Sequence, residues 1–297
     1  MSGQRVVAGV DGSPESDLAV RWAARIAAQR RLPLHIVHAI HVAGLYYGGG
    51  GMSGVGAFIA LAQEDAAKMM NESIALARAV GPNLTVTSEM PSIAASSALI
   101  ELSRDAKLVV VGKSGRGEFT GMLVGSTAAA VISHAHCSVA VIRHRPDVLA
   151  VPAGGPVVVG VDAGPNSDHA IALAFEEASQ RRAPLVALHA WSDVTYDSTG
   201  GATRVPVQWE SIEEDERRAF AERMAGWGEK YPDVEVHREL VRDRPRHALL
   251  EQAEKAQLVV VGSRGRGGFR GMLLGSTSQA LVHFAACPVL VARPYEG

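Results

Sequence analysis

Residues Val109–Arg143 read VVVGKSGRGEFTGMLVGSTAAAVISHAHCSVAVIR, and residues Val259–Arg293 read VVVGSRGRGGFRGMLLGSTSQALVHFAACPVLVAR. The two stretches are identical at 20 of 35 positions, at an offset of 150. Each opens on a β-branched run, passes through a glycine-rich loop into a short amphipathic segment, and closes on a second apolar run. Strands that are apolar nearly throughout are those of a parallel sheet covered on both faces. A strand, a helix and a second such strand make a parallel βαβ unit, and this chain carries the unit twice.

The repeat reaches further in both directions. Ser16–Ala39 matches Ser167–Ala190 at 12 of 24 positions with an offset of 151, and Ala98, Leu99 and Glu101 recur as Ala248, Leu249 and Glu251 at 150. A period that long is no solenoid; it is a duplicated domain. The stretch Arg145–Gly155, with two prolines and two glycines, reads as the link. The expected division is a first domain over 1–146, a linker over about 147–154 and a second domain over 155–297.

Within the first copy the pattern predicts strand Arg5–Asp11, helix Pro14–Arg31, strand Pro33–Ile40 and a glycine-rich loop to about Gly56. It continues as helix Ala57–Val80, strand Leu84–Met90, helix Ser92–Asp105, strand Lys107–Gly112, helix Ser126–His134 and strand Cys137–Arg143. In the first helix Leu18, Trp22 and Ile26 share one face, while Asp17, Arg21 and Arg25 run along the wet one. The fold class expected is α/β: two tandem doubly wound domains, each a five-stranded parallel sheet flanked by helices, with right-handed crossovers. Crossovers of this length allow an order with strands one and four adjacent at the switch point, although alternation alone does not fix it.

Composition sets the outer limits. The 297 residues are 47% hydrophobic and 20% charged with a formal charge of −2, so no basic surplus points to nucleic acid. Two cysteines, Cys137 and Cys287, make neither a disulfide framework nor a zinc site, which fits a reducing compartment. The stretches Ala39–Gln63 and Phe119–Ile142 lack Asp, Glu, Lys and Arg. Both are broken by polar residues and glycine, so neither reads as a membrane span. The opening residues do not resemble a signal peptide. A soluble cytoplasmic protein, with no membrane and no nucleic-acid partner, is the expectation.

The sharpest motif is Gly112-x-x-Gly115-(nine residues)-Gly125-Ser126, which recurs as Gly262-x-x-Gly265-(nine)-Gly275-Ser276. It begins at the carboxyl end of strand four and ends on the first turn of helix four. Glycines there let the backbone turn tightly and approach an anion. The helix start adds unpaired N–H groups and a positive dipole end, and Ser126 a hydroxyl. This describes a phosphate cradle. The plainer reading has Ser126 capping its helix and the glycines merely turning a loop. The loop is not a Walker A motif, since its first glycine would fall at Lys107. Nor does a Gly-x-Gly-x-x-Gly dinucleotide fingerprint follow strand one in either half.

The second element is the end of strand one, Gly9-Val10-Asp11 and Gly160-Val161-Asp162. In a doubly wound sheet this carboxylate faces the same crevice as the strand-four loop, where it suits a ribose hydroxyl or an ammonium, and a phosphate only with a metal between them. Alternatively, Asp11-Gly12-Ser13-Pro14 is only a turn and a helix start.

These residues resemble the universal stress protein family in its tandem form. The carriers are GVDGSPES and GVDAGPNS, LHIVHA and LVALHA, and both glycine loops. The resemblance covers nearly the whole chain and implies adenine nucleotide alpha hydrolase-like domains. The loop is the signature of the family's ATP-binding branch, so the resemblance implies ATP, accompanied by Mg²⁺ or Mn²⁺, at one site per domain. It makes Val10, Asp11 and Ala39 contacts of the nucleoside end, and Gly112, Gly115, Gly125, Ser126 and Thr127 contacts of the phosphates. The second-half equivalents are Val161, Asp162, Ala190, Gly262, Gly265, Gly275, Ser276 and Thr277. Ser13 aligns with Gly164, so the second copy is expected to lack a hydroxyl beside its aspartate.

Other recurring residues are read more plainly. Arg116 and Arg266, with Lys113 and Arg264 nearby, suit bidentate phosphate contact as well as simple exposed loop charge. His38 and His189 read as packed strand-end histidines, and the two cysteines as buried thiols. His134-Ala-His136-Cys137 does not repeat, so no metal site is assigned. The glycines of 48–51 read as a simple mobile loop, with a lid over the nucleotide as the alternative. Glu213, Glu214 and Glu216 with Arg217 and Arg218 read as a solvated helix face.

No catalytic residue is assigned, because the hydrolase, zinc-protease and kinase patterns are absent. The function expected is nucleotide-dependent regulation under stress through surfaces that meet a protein partner. The alternative is slow ATP hydrolysis or autophosphorylation in the same pockets. The resemblance also implies that the two halves pair through their fifth strands as an intrachain pseudo-dimer. Association of two whole chains as a homodimer is left open.

Overall fold

The computed structural model describes residues 4–40, 55–113, 124–144, 150–162, 167–191, 209–265 and 274–293, with side chains over 55–59 excepted. The chain divides into two compact units, the first ending at Arg143 and the second running from His144 to Arg293.

In the first unit the elements are β1 (Arg5–Gly9), α1 (Pro14–Arg30), β2 (Leu34–Val37), α2 (Val55–Val80) and β3 (Val86–Glu89). They continue as α3 (Ala95–Leu102), β4 (Ala106–Gly112), α4 (Ser126–His134) and β5 (Ser138–Ile142). The strand order is β3-β2-β1-β4-β5, with every neighbouring pair parallel. Val6 is in register with Leu34 on one side and Leu108 on the other. Strands β1 and β4 are therefore adjacent at the switch point, as expected, and their carboxyl ends open a crevice there.

The second unit repeats the plan as β6 (Val157–Gly160), α5 (Asp168–Arg181), β7 (Leu185–Trp191), α6 (Trp209–Arg223) and α7 (Trp227–Lys230). Then come β8 (Val236–Arg242), α8 (Pro245–Ala253), β9 (Leu258–Gly262), α9 (Ser276–Phe284) and β10 (Val289–Ala292). Its order, β8-β7-β6-β9-β10, is again parallel at every step.

Local chemistry fixes the boundaries. Helix α1 starts because Ser13 is its N-cap, accepting from the Ser16 N–H, with Pro14 in the first turn. It stops one residue earlier than expected, because Arg31 turns left-handed at φ 53°. The Arg31 and Leu32 N–H groups then donate back to Ala28 and Ala27. Arg182 ends α5 in the same way at φ 51°. The buried face of α1 is wider than the Leu18–Trp22–Ile26 stripe: Ala19, Val20, Ala23 and Ala24 are buried, while Leu18 is only half-buried.

Strand β1 ends at Gly9 rather than Asp11. The Val10 N–H still donates to the Val37 carbonyl at 2.9 Å, but Gly12, at φ 76°, then turns the chain away. Helix α3 is shorter than the expected Ser92–Asp105 and tightens into a 3₁₀ turn over Ser103–Asp105.

The cores lie on the inner strands. Leu108–Val111 and Leu258–Val261 are buried throughout, whereas the outer strand β3 is mostly exposed and β8 mixes exposed with half-buried positions. Cys137 and Cys287 are buried thiols, as expected. Among the described residues no helix is long and apolar enough to cross a membrane.

Candidate functional site

The first-unit crevice is built from the carboxyl ends of β1, β2 and β4 and the start of α4. A cavity there is lined by Val10, Asp11, Ala39, Gly112, Gly125 and Thr127, with Lys113, Leu99 and Ala128 among its other walls. Six residues picked from the sequence thus converge on one space. Gly115, Arg116 and Arg266 lie outside the described residues, as do the glycines of 48–51.

The glycine loop is closed at its base. The Gly125 N–H donates to the Lys113 carbonyl at 2.7 Å, and the Gly275 N–H donates to that of Ser263 at 2.8 Å. The chain that leaves β4 at Lys113 is therefore back at the same spot at Gly125, where it enters α4. The N-cap of α4 is Gly125, in extended conformation and without a side-chain cap, and Ser126 is the first helical residue. The plainer reading of Ser126 as a capping residue does not hold. The first intrahelical bond is donated by Ala129 to Gly125, so the N–H groups of the first turn point out of the helix at the cavity end. Gly275 and Ser276 repeat the arrangement in α9, followed by Thr277, and Ser278 Oγ additionally donates to the Gly262 carbonyl at 2.6 Å.

At the other end of the crevice Asp11 does both things the sequence allowed. It lines the cavity, and its Oδ1 accepts from the Ser13 N–H at 3.0 Å and the Ser13 hydroxyl at 2.6 Å. The carboxylate is thereby held in a fixed pose by the turn itself. Behind it Asp17, in the first turn of α1, has its carboxyl pushed above the usual carboxylate range by burial. Arg21 opposes that shift, and Glu72 and Asp11 reinforce it. The crevice is polarised, with carboxylates at the β1 end and helix N–H groups with Lys113 at the other.

In the second unit the crevice shows its closeness directly. A Cβ added to Gly265 would lie 3.1 Å from Asp162 Oδ2. The carboxylate at the end of β6 and the loop after β9 are therefore in contact across the switch point. Val161 follows directly on β6, Ala190 is the penultimate residue of β7, and Gly262 closes β9.

Asp162 corrects one expectation. It does not lack a hydroxyl, because Ser167 Oγ donates to Asp162 Oδ1 at 2.6 Å and accepts from the Asp162 N–H at 2.8 Å. Ser167 is the counterpart of Ser16, whose hydroxyl in the first unit donates to the Ser13 carbonyl at 2.8 Å. Where position 13 carries a serine, that serine holds the aspartate; in the second copy the next hydroxyl along does so.

The histidines proved more specific than packed strand ends. His38 Nδ1 is 2.9 Å from the Val10 carbonyl and His189 Nδ1 is 2.7 Å from the Val161 carbonyl. A carbonyl only accepts, so Nδ1 carries the proton in both. Glu216 is a second correction. It is buried rather than part of a solvated face, and its Oε2 lies 2.7 Å from His189 Nε2. The exposed ion pairs of α6 are Glu213–Arg217 and Asp215–Arg218. The sequence signal that could have found Glu216 is its i, i+4 spacing to the buried Phe220. His134, His136 and Cys137 do not converge: His134 Nδ1 bonds the Ala130 carbonyl one turn back at 3.0 Å.

Comparison with known proteins agrees with this architecture. The sequence model of the universal stress protein family matches residues 3–143 and again 155–293. A universal stress protein of Mycobacterium tuberculosis is 41% identical over 304 residues, covering 97% of this chain and 96% of its own. The crystal structure of a universal stress protein from Archaeoglobus fulgidus DSM 4304 shares the fold with a TM-score of 0.67 at 19% identity, covering 100% of this chain and 98% of its own. A universal stress protein solved in complex with cAMP matches 48% of the chain, and 99% of its own, at 27% identity with a TM-score of 0.38. On the strength of both matched halves, the chain belongs to the universal stress protein family and carries two copies of its domain in tandem.

Proposed function

We propose that each domain, over 1–146 and 155–297 with a linker at about 147–154, binds one adenine nucleotide at its switch-point crevice, that the nucleotide is ATP, and that occupancy regulates a stress response in the cytoplasm. The observation that carries the reading is the first-domain cavity, where Asp11, Ala39, Gly112, Gly125 and the first turn of α4 share one space. Its polarity runs the right way for such a ligand. Asp11 suits a ribose hydroxyl, and the backbone near Ala39 can read the base. The outward N–H groups of α4, with its positive dipole end, suit the phosphates.

At Gly112 a Cβ would come within 3.1 Å of the Glu15 backbone, so β4 can pass the start of α1, at the mouth of the crevice, only without a side chain. The Thr127 hydroxyl and the Lys113 side chain are available to a phosphate chain, with Mg²⁺ or Mn²⁺ carried on it. A nucleotide seated at the crevice would change the surface offered to a protein partner, which gives regulation a physical route.

Protein purified gently, then denatured and resolved by anion exchange, is expected to release adenine nucleotide, and emptied protein to take up two equivalents of ATP. Gly125→Val and Gly275→Val each remove one equivalent. A clean preparation that ignores added ATP would overturn the reading. Two equivalents retained by both variants would show that the phosphates lie elsewhere.

A further inference from the structure

We infer that Glu216 and His189 are positioning residues for the second nucleotide site, forming a buried relay from α6 to the end of β6 that makes the two sites of one chain unequal; this rests on the reading of the crevices as ATP sites. His189 lies between the two segments that would meet the nucleoside. Its backbone precedes Ala190, and its Nδ1–H holds the Val161 carbonyl at 2.7 Å, one residue before Asp162. The other ring nitrogen, Nε2, is 2.7 Å from Glu216 Oε2. The Asp162 N–H and Oδ1 in turn bond Ser167 Oγ at 2.8 and 2.6 Å. A continuous line of hydrogen bonds thus runs from α6 through the imidazole and the Val161–Asp162 peptide to the start of α5.

The relay is enclosed. His189 is 2% exposed and Glu216 8% exposed, and Phe220, one turn after Glu216, lies 5.6 Å from the imidazole centroid to centroid. One helix therefore supplies both the hydrogen-bond partner and the apolar wall of the ring. The ring is bonded at both nitrogens, so it cannot rotate without breaking the bond to the Glu216 carboxyl and the bond to the Val161 carbonyl.

The first domain is built differently at the same place. His38 Nδ1 bonds the Val10 carbonyl at 2.9 Å. The buried i, i+4 pair of α2 that corresponds to Glu216 and Phe220 is Ala66 and Met70, both 4% exposed. An alanine has nothing to offer an imidazole. The aspartate hydroxyls, by contrast, are present in both units. The inequality of the two sites thus lies in the support of the histidine and not in the missing serine at position 164. Because α6 belongs to the crossover between β7 and β8, a displacement of that helix reaches the nucleoside end of the second site through His189, a route that the described residues of the first domain do not repeat.

Glu216→Leu and Glu216→Gln separate the bond from the volume, since both fill the buried space and only glutamine can still bond Nε2. Calorimetric titration of the full chain with ATP is expected to show Glu216→Leu weakening one of two sites about tenfold with the other unchanged. Glu216→Gln should stay within about threefold of wild type. Glu216→Ala, read alongside, is expected to match the leucine variant. Wild-type affinity at both sites in folded Glu216→Leu protein would overturn the relay. So would equal weakening of both sites, or a glutamine variant no better than leucine, each of which marks a packing role only. A wild-type chain that takes up no ATP would overturn the relay together with the functional reading, and is told apart from the other failures by that control.

Discussion

Asp11 and Asp162 occupy the same place in the two copies, yet different serines hold them. Ser13 grips Asp11 from inside the turn, and Ser167 grips Asp162 from the position just before α5. A pairwise alignment shows which hydroxyl is lost but not which one moves in, because Ser16 and Ser167 look equivalent until their partners are seen. Crowding at this carboxylate gives a test at the same scale. A Cβ on Gly265 would lie 3.1 Å from Asp162 Oδ2, whereas a Cβ on Gly154 would meet nothing within 4 Å. Gly265→Ala is therefore expected to push the carboxylate aside and weaken ATP at the second site by about 1 kcal/mol or more. Gly154→Ala should bind as wild type. Equal affinities for the two variants in a calorimetric titration would show that Asp162 does not contact the nucleotide.

Elements whose patterns are local were legible in the sequence. The apolar runs of β1, β4 and β5 and the Ser13-Pro14 start of α1 need only their neighbours to be read. What was not legible depended on residues far along the chain. Glu216 stands among Glu213, Glu214, Asp215, Arg217 and Arg218, and only His189, 27 residues earlier, distinguishes it. His35 on β2 is a similar case, buried at 5% exposure with Nδ1 2.8 Å from Thr87 Oγ1 on β3. Burial holds its pKa below the ordinary imidazole value; the positive charge of Arg5 adds to that, and Glu89, 3.4 Å away, opposes it. The unfolded chain therefore binds a proton at a higher pH than the folded domain does. Stability is full above about pH 6.5 and falls as the pH drops below it, by at most about 1.4 kcal/mol per pH unit for this one group. The second copy has Val186 at the matching place. Urea unfolding of His35→Val at pH 7.5 and 5.5 should show the first domain losing part of its acid sensitivity, with the second domain unmoved. An unchanged pH dependence would mean that His35 protonates in place.

At the scale of the whole molecule, duplication raises the question of whether the two copies are separate folding units. Each has a complete β-α alternation and five parallel strands in the same order, β3-β2-β1-β4-β5 and β8-β7-β6-β9-β10. Each has its own set of large, fully buried side chains: Ile26, Leu34, Ile36, Leu108, Ile132 and Ile142 in the first, Ile171, Phe175, Leu185, Met224, Leu258 and Leu281 in the second. A domain near 150 residues buries about 68–70% of the surface its unfolded chain exposes, enough for independent stability. The site residues follow the same division, since Asp11, Ala39 and Gly125 come from one copy and Asp162, Ala190 and Gly275 from the other. Residues 1–146 and 155–297, produced separately, are therefore each expected to show a mixed α/β circular dichroism spectrum and one cooperative urea transition. Each should take up a single equivalent of ATP. If either fragment lacks a cooperative transition, the halves fold only together, and the unit of stability is the tandem pair. If both fold but neither binds, each crevice needs the other copy to be complete, and the one-site-per-domain reading gives way.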